Sequence, residues 1–75
     1  MRQLLTVGVR ARFPLQRIND LWSEFYRQLA EKPAENLFYV GTHTDYRNLR
    51  SKKVWVKIDE YPDEKVATML FADEY

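Results

Sequence analysis

The sequence predicts an α+β domain: an antiparallel sheet of three to four strands backed by one long helix, in the order β-α-β-β-β. Three observations carry this expectation. Segments of period-two hydrophobicity flank a single segment whose apolar residues step by three and four. Proline falls at the junctions, at Pro14, Pro33 and Pro62. The chain has 75 residues, 45% of them apolar and 31% charged, a globular balance in one domain spanning 1–75.

The first strand is expected over Gln3 to Phe13. Leu5, Val7, Val9, Ala11 and Phe13 alternate with Thr6, Gly8, Arg10 and Arg12, the pattern of a strand with one buried side. Pro14 closes it and suits the first turn of a helix. From Leu15 the period changes. Leu15, Ile18, Trp22, Phe25 and Leu29 form a stripe, widened by Leu21 and Tyr26, along a helix of about four turns. Arg17, Asp20, Glu24, Arg27 and Glu31 fill the other face, and Lys32-Pro33 ends the helix.

Leu37 to Tyr46 alternates as the second strand. Val54, Val56 and Ile58 alternate with Trp55, Lys57 and Asp59 as the third. The polar stretch between them, Arg47 to Lys53, is expected as the connection of a long hairpin. After the turn at Pro62-Asp63, a fourth strand over about 65–72 is expected at an edge or shared with a partner. Its residues Val66 to Phe71 are apolar on both faces, so left free it would be an aggregation hazard.

Composition narrows the function classes. There is no cysteine, which removes disulfides, thiol catalysis and zinc–thiolate sites and fits a reducing, cytoplasmic setting. No apolar run approaches the ~20 residues of a membrane span, and the amino terminus reaches Gly8 and Arg10 too soon for a signal peptide. His43 is the one histidine and has no ligand set beside it, so neither a metal nor another cofactor is expected. Ser23 and Ser51 have no histidine in register and no glycine-rich phosphate loop exists, so the chain is expected not to be an enzyme. A net charge of +1 argues against a nucleic-acid partner.

Two motifs stand out: Leu21-Trp22-x-x-Phe25 on the helix and Tyr39-x-Gly41-x-x-Thr44-Asp45-Tyr46 on the strand that follows. Together they resemble the first half of GyrI-like domains, the effector-binding domains also found at the C-terminus of AraC- and MerR-type regulators. The resemblance covers residues 5 to 60. It implies two copies of a strand–helix–strand–strand unit with a small organic ligand, lipophilic and often cationic, held between them. One copy is present here, followed by a segment similar to the strand that opens the second. The resemblance therefore implies a homodimer in which a second chain supplies the other half, with the last strand exchanged between chains. The family's ligand-facing glutamate lies in the second unit, which leaves Asp45 and Glu24 as the nearest acids.

The expected ligand site follows from the strand alternation. If the helix covers Val7, Val9, Val40, Val54, Val56 and Ile58, the opposite face carries Tyr39, Trp55, His43 and Arg10 around Gly8 and Gly41, the two glycines of the chain. Strand glycines often mark a bulge or a close approach. The expected groove has Gly8 and Gly41 as floor, Tyr39 and Trp55 as walls, Asp45 as charge and Trp22 at the rim. A partner subunit or the C-terminal segment could equally bury those rings, and Trp22 also fits the core. The rival site is an interaction patch on the basic hairpin, Arg47, Arg50, Lys52 and Lys53, through which a small inhibitor-type module would bind a protein or a nucleic acid. The same cations also suit a solvated hairpin tip.

Overall fold

The computed structural model describes all 75 residues, Met1–Tyr75. The elements are β1 (Arg2–Leu5), α1 (Val7–Arg12), α2 (Leu15–Glu31), β2 (Leu37–Asp45), β3 (Arg50–Glu60) and β4 (Lys65–Phe71), then a 3-10 turn at Ala72–Glu74. The fold is α+β, a four-stranded sheet ordered β1-β4-β3-β2 with the helices packed on one side. β2, β3 and β4 form an antiparallel meander, while β1 pairs with β4 in parallel, so the sheet is mixed.

The first expected strand stops at Leu5. Thr6 still donates its N–H to the Met69 carbonyl at 3.1 Å, but its hydroxyl accepts from the Val9 N–H at 3.3 Å and caps a short helix. Val7 is therefore 85% exposed while Val9 is fully buried, although alternation had placed both on one strand face. α1 ends where the Phe13 N–H bonds the Val9 carbonyl, and Phe13 lays its ring against Phe71 at 6.0 Å. Six residues are too few to hold a helix unaided. The buried Val9 and the packed Phe13 supply the stabilisation.

α2 forms over Leu15–Glu31 as expected, although Leu15 and Tyr26 of the expected stripe are exposed. Ile18, Leu21, Trp22 and Phe25 are buried, each worth roughly 1.5–3 kcal/mol if left in water instead. Helical pairing starts with the Ile18 N–H on the Pro14 carbonyl and ends with the Lys32 N–H on the Gln28 carbonyl, one residue before Pro33. Beneath α2 lie Phe38 and Val40 of β2, Val54 and Val56 of β3, and Ala67, Met69 and Phe71 of β4.

Two strand expectations change. β3 starts at Arg50, so the hairpin connection shrinks to Tyr46–Leu49, with Leu49 in the left-handed region at φ 53°. β4 is an interior strand, bonded to β3 on one side and β1 on the other. Both of its hydrogen-bonding edges are thus paired within the chain, not left at the edge of the sheet.

Candidate functional site

One extra residue decides which side chains share a face. Phe38 opposes Val56 and Tyr39 opposes Trp55, but the next aligned pair is Gly41 with Val54, leaving Val40 as a bulge. A bulge shifts the alternation by one. Up to Tyr39 the odd residues of β2 point away from the helices. Beyond Val40 the odd residues Gly41 and His43 point toward them, and Thr42 and Thr44 take the open face. Gln28 of α2 reaches across and donates to the Tyr39 carbonyl at 2.7 Å.

This parity disperses the expected groove. Gly41 lies under α2, where an added Cβ would sit 2.6 Å from Leu21 Cδ2 and 3.4 Å from Arg17 Nη2. Its role is close helix–sheet packing, not the floor of an open groove. Gly8 lies in α1, where a Cβ would meet the Glu74 carboxylate at 2.6 Å. That carboxylate accepts from the Thr6 hydroxyl at 2.8 Å and the Phe71 N–H at 2.9 Å, pinning the C-terminal turn onto α1. Trp22 is 7% exposed and packs edge-on to Phe25, a core residue and not a rim.

Neither expected acid serves the ring pair. Asp45 Oδ1 accepts the Arg47 N–H and its Oδ2 accepts from Asn48, so both oxygens brace the hairpin turn. Glu24 is clamped by Arg27 on the solvent side of α2. The hydrogen bond from Arg27 holds its carboxyl below the usual range, with a smaller bond from Gln28 in the same sense.

What remains together on the helix-free face is Tyr39 and Trp55. Their ring centroids are 5.4 Å apart at an interplanar angle of 47°. Tyr39 is 42% exposed and shares a 2.6 Å hydrogen bond with Thr42. Lys53 places its ammonium 5.7 Å from the Tyr39 ring centroid. Lys57, paired with Thr68 on the same face, lies 5.6 Å from the Tyr75 ring, so the C-terminal residue turns back over the sheet. Asp59 is the carboxylate on that face, and it is ion-paired to Lys57 at 3.5 Å.

The basic hairpin does not present a single surface either. Lys53 joins the open face, Arg47 sits in the turn, and Arg50 and Lys52 point to the helix side. There, with Arg12, His43, Asp45 and Asn48, they line a cleft of about 230 Å³ that contains no apolar side chain. Lys52 also pairs with Asp73 at 3.0 Å. That hydrogen bond, and more weakly the field of Arg12, holds the Asp73 carboxyl below the usual aspartate range. Arg12 belonged to the expected first strand, so no sequence signal brought it to the hairpin. A larger recess of about 640 Å³ lies at the far end of the sheet, between Pro33–Asn36 and Ile58–Glu60. Of its three carboxylates, Asp59 and Glu60 are taken by Lys57 and Lys65, and Glu35 forms no ion pair.

No group of three or more side chains is arranged to hold a metal ion, and no helix is long and apolar enough to cross a membrane. Comparisons with protein-family models, with curated proteins and with solved structures find no match to this chain.

Proposed function

We propose that the chain is a non-enzymatic binding module whose helix-free sheet face receives a flat organic molecule on Tyr39 and Trp55. The observation that carries this reading is that ring pair, standing on the face that neither helix covers. A ring added to such a pair gains about 0.5–1.5 kcal/mol beyond the area it buries. The sequence motifs that resemble GyrI-like domains support the same ligand class. The charge of the ligand departs from that resemblance. Lys53 has no carboxylate partner, and the one acid on the face is held by Lys57. The face therefore favours neutral or anionic rings over cations.

Fluorescence tests the reading. A Trp22→Phe variant leaves Trp55 as the single tryptophan. Naphthalene sulfonate should quench it saturably, an acridinium cation should do so more weakly, and Tyr39→Ala should weaken binding several-fold. An absence of saturable quenching in a monomeric protein overturns the reading. A homodimer is the second reading, favoured by Leu4 and Leu37, 42% and 38% exposed on the same face. Sedimentation equilibrium at micromolar concentration separates the two, because a dimer built on this face would shield Trp55 as it forms.

A further inference from the structure

The all-polar cleft between α1 and the β2–β3 hairpin is a second site, unrelated to the ring pair. We propose that it binds a phosphate-type oxyanion, either free or as the terminal group of a small phosphorylated molecule.

The cleft gathers cations from two separate parts of the chain. Asp45 faces Arg50 and His43 faces Lys52 on alternate rungs of the hairpin, and Arg12 arrives from the last turn of α1. The Arg12 guanidinium carbon stands 5.6 Å from the Phe71 ring centroid and the Lys52 ammonium 5.7 Å from the same point, so both are drawn to one place. His43 is held edge-on against Phe13 at 5.1 Å, which fixes the ring that forms the back wall. Apart from Asp45, the lining offers N–H donors and no free carboxylate.

Two details favour an anion over bulk solvent alone. Arg12 and Arg50 form no ion pair, although five acids of the chain side with neighbouring cations elsewhere on the surface and Asp73 takes Lys52. The one carboxylate lining the cleft turns its oxygens to the Arg47 N–H and the Asn48 amide and forms no ion pair with either arginine. Guanidinium groups present several donors in a fixed plane and suit phosphate oxygens bidentately. A volume of about 230 Å³ admits a phosphate group with water around it and leaves little room for a long substituent. The absence of apolar walls argues against the lipophilic ligand expected of the open face.

The test uses the full-length protein and nuclear magnetic resonance, with His43, the single histidine, as a resolved reporter. Inorganic phosphate and phenyl phosphate are titrated separately at constant ionic strength, with chloride replaced as each is added. The expected result is saturable shifts at His43, Asn48 and Arg50 with at least one of the two. Phosphate alone marks a free-anion site, and tighter phenyl phosphate marks a terminal phosphate; both support the proposal. Arg12→Gln and Arg50→Gln should each weaken binding about tenfold while the amide spectrum stays dispersed. Arg27→Gln, whose guanidinium is committed to Glu24, should change nothing. Linear shifts that never saturate, or unchanged affinity in both arginine variants, overturn it. Trp55 emission is not used, so this proposal and the ring-pair reading fail separately.

Discussion

Replacing Gly41 with alanine tests the packing that sets the parity of β2. The new Cβ would stand 2.6 Å from Leu21 Cδ2, whereas carbon atoms in contact settle at about 3.5–4.0 Å. The Leu21 methyl must retreat by roughly 1 Å, yet Leu21 is 1% exposed inside a close-packed core. Such overpacking costs about 1–3 kcal/mol. Against it stands a gain of about 0.4–1 kcal/mol from the stiffer unfolded chain, available because Gly41 does not hold a positive φ. The net expectation is a loss of about 1–2 kcal/mol. With a urea slope near 1 kcal/mol/M for a domain this small, the unfolding midpoint falls by about 1–2 M. Leu21→Val removes the δ methyl that collides, so Gly41→Ala should cost at least ~0.5 kcal/mol less in that background. A Gly41→Ala variant as stable as the parent, or one whose cost is unchanged beside Leu21→Val, would refute the placement of Gly41 beneath α2.

Two further outcomes follow from the topology and the charges. Deleting residues 66–75 removes an interior strand bonded on both sides, so the remainder should lose cooperative unfolding by circular dichroism; a truncated chain that stays folded contradicts the strand order. The Lys52–Asp73 pair should matter at neutral pH and cease to matter in acid. Asp73 is held below its ordinary value, so the pair's stabilisation is fully present above the unfolded aspartate value of ~3.9 and disappears as pH falls through the lowered folded value. Denaturation curves of the parent and Lys52→Gln should therefore differ at pH 6 and converge as pH falls through the lowered folded value; a gap that persists once Asp73 is protonated would place the effect of Lys52 elsewhere.

The long helix and the β2–β3 hairpin were readable because their periods run far enough to separate 3.6 from 2. α2 holds its stripe from Ile18 to Phe25, and Val54, Val56 and Ile58 keep strict alternation. The first thirteen residues are too short for that test. Leu5, Val9 and Phe13 are four apart as well as alternating, and the spacing serves a helical turn as readily as a strand. Thr6 carried the distinguishing signal as an N-cap, but a threonine amid β-branched residues is also good strand chemistry. Mistaking α1 for strand hid Arg12 from the hairpin and placed Gly8 on a sheet it does not join.

The site was lost to a different cause. Glycine at position 41 was a sound marker of a bulge or close approach, and the structure has both. What the sequence does not record is on which side of Gly41 the extra residue falls. A bulge after Gly41 would have left it on the open face beside Tyr39. Because the bulge is at Val40, Gly41 and His43 turn inward while Thr42 and Thr44 turn out. β3 alternates without a break, so Lys52 and Arg50 share the helix side with Val54 and Val56 while Lys53 faces the open side, and the β2 bulge brings His43 and Asp45 opposite the first two and Thr42 opposite Lys53. The alternation of β3 thus divides a basic run that reads as a single patch: Lys53 stands beside the aromatic pair, Arg50 and Lys52 line the polar cleft, and Arg47 stays in the turn. Deleting Val40 would leave Tyr39 and Gly41 on adjacent rungs opposite Trp55 and Val54, so Gly41 and His43 should stay inward and the division between the two faces should persist.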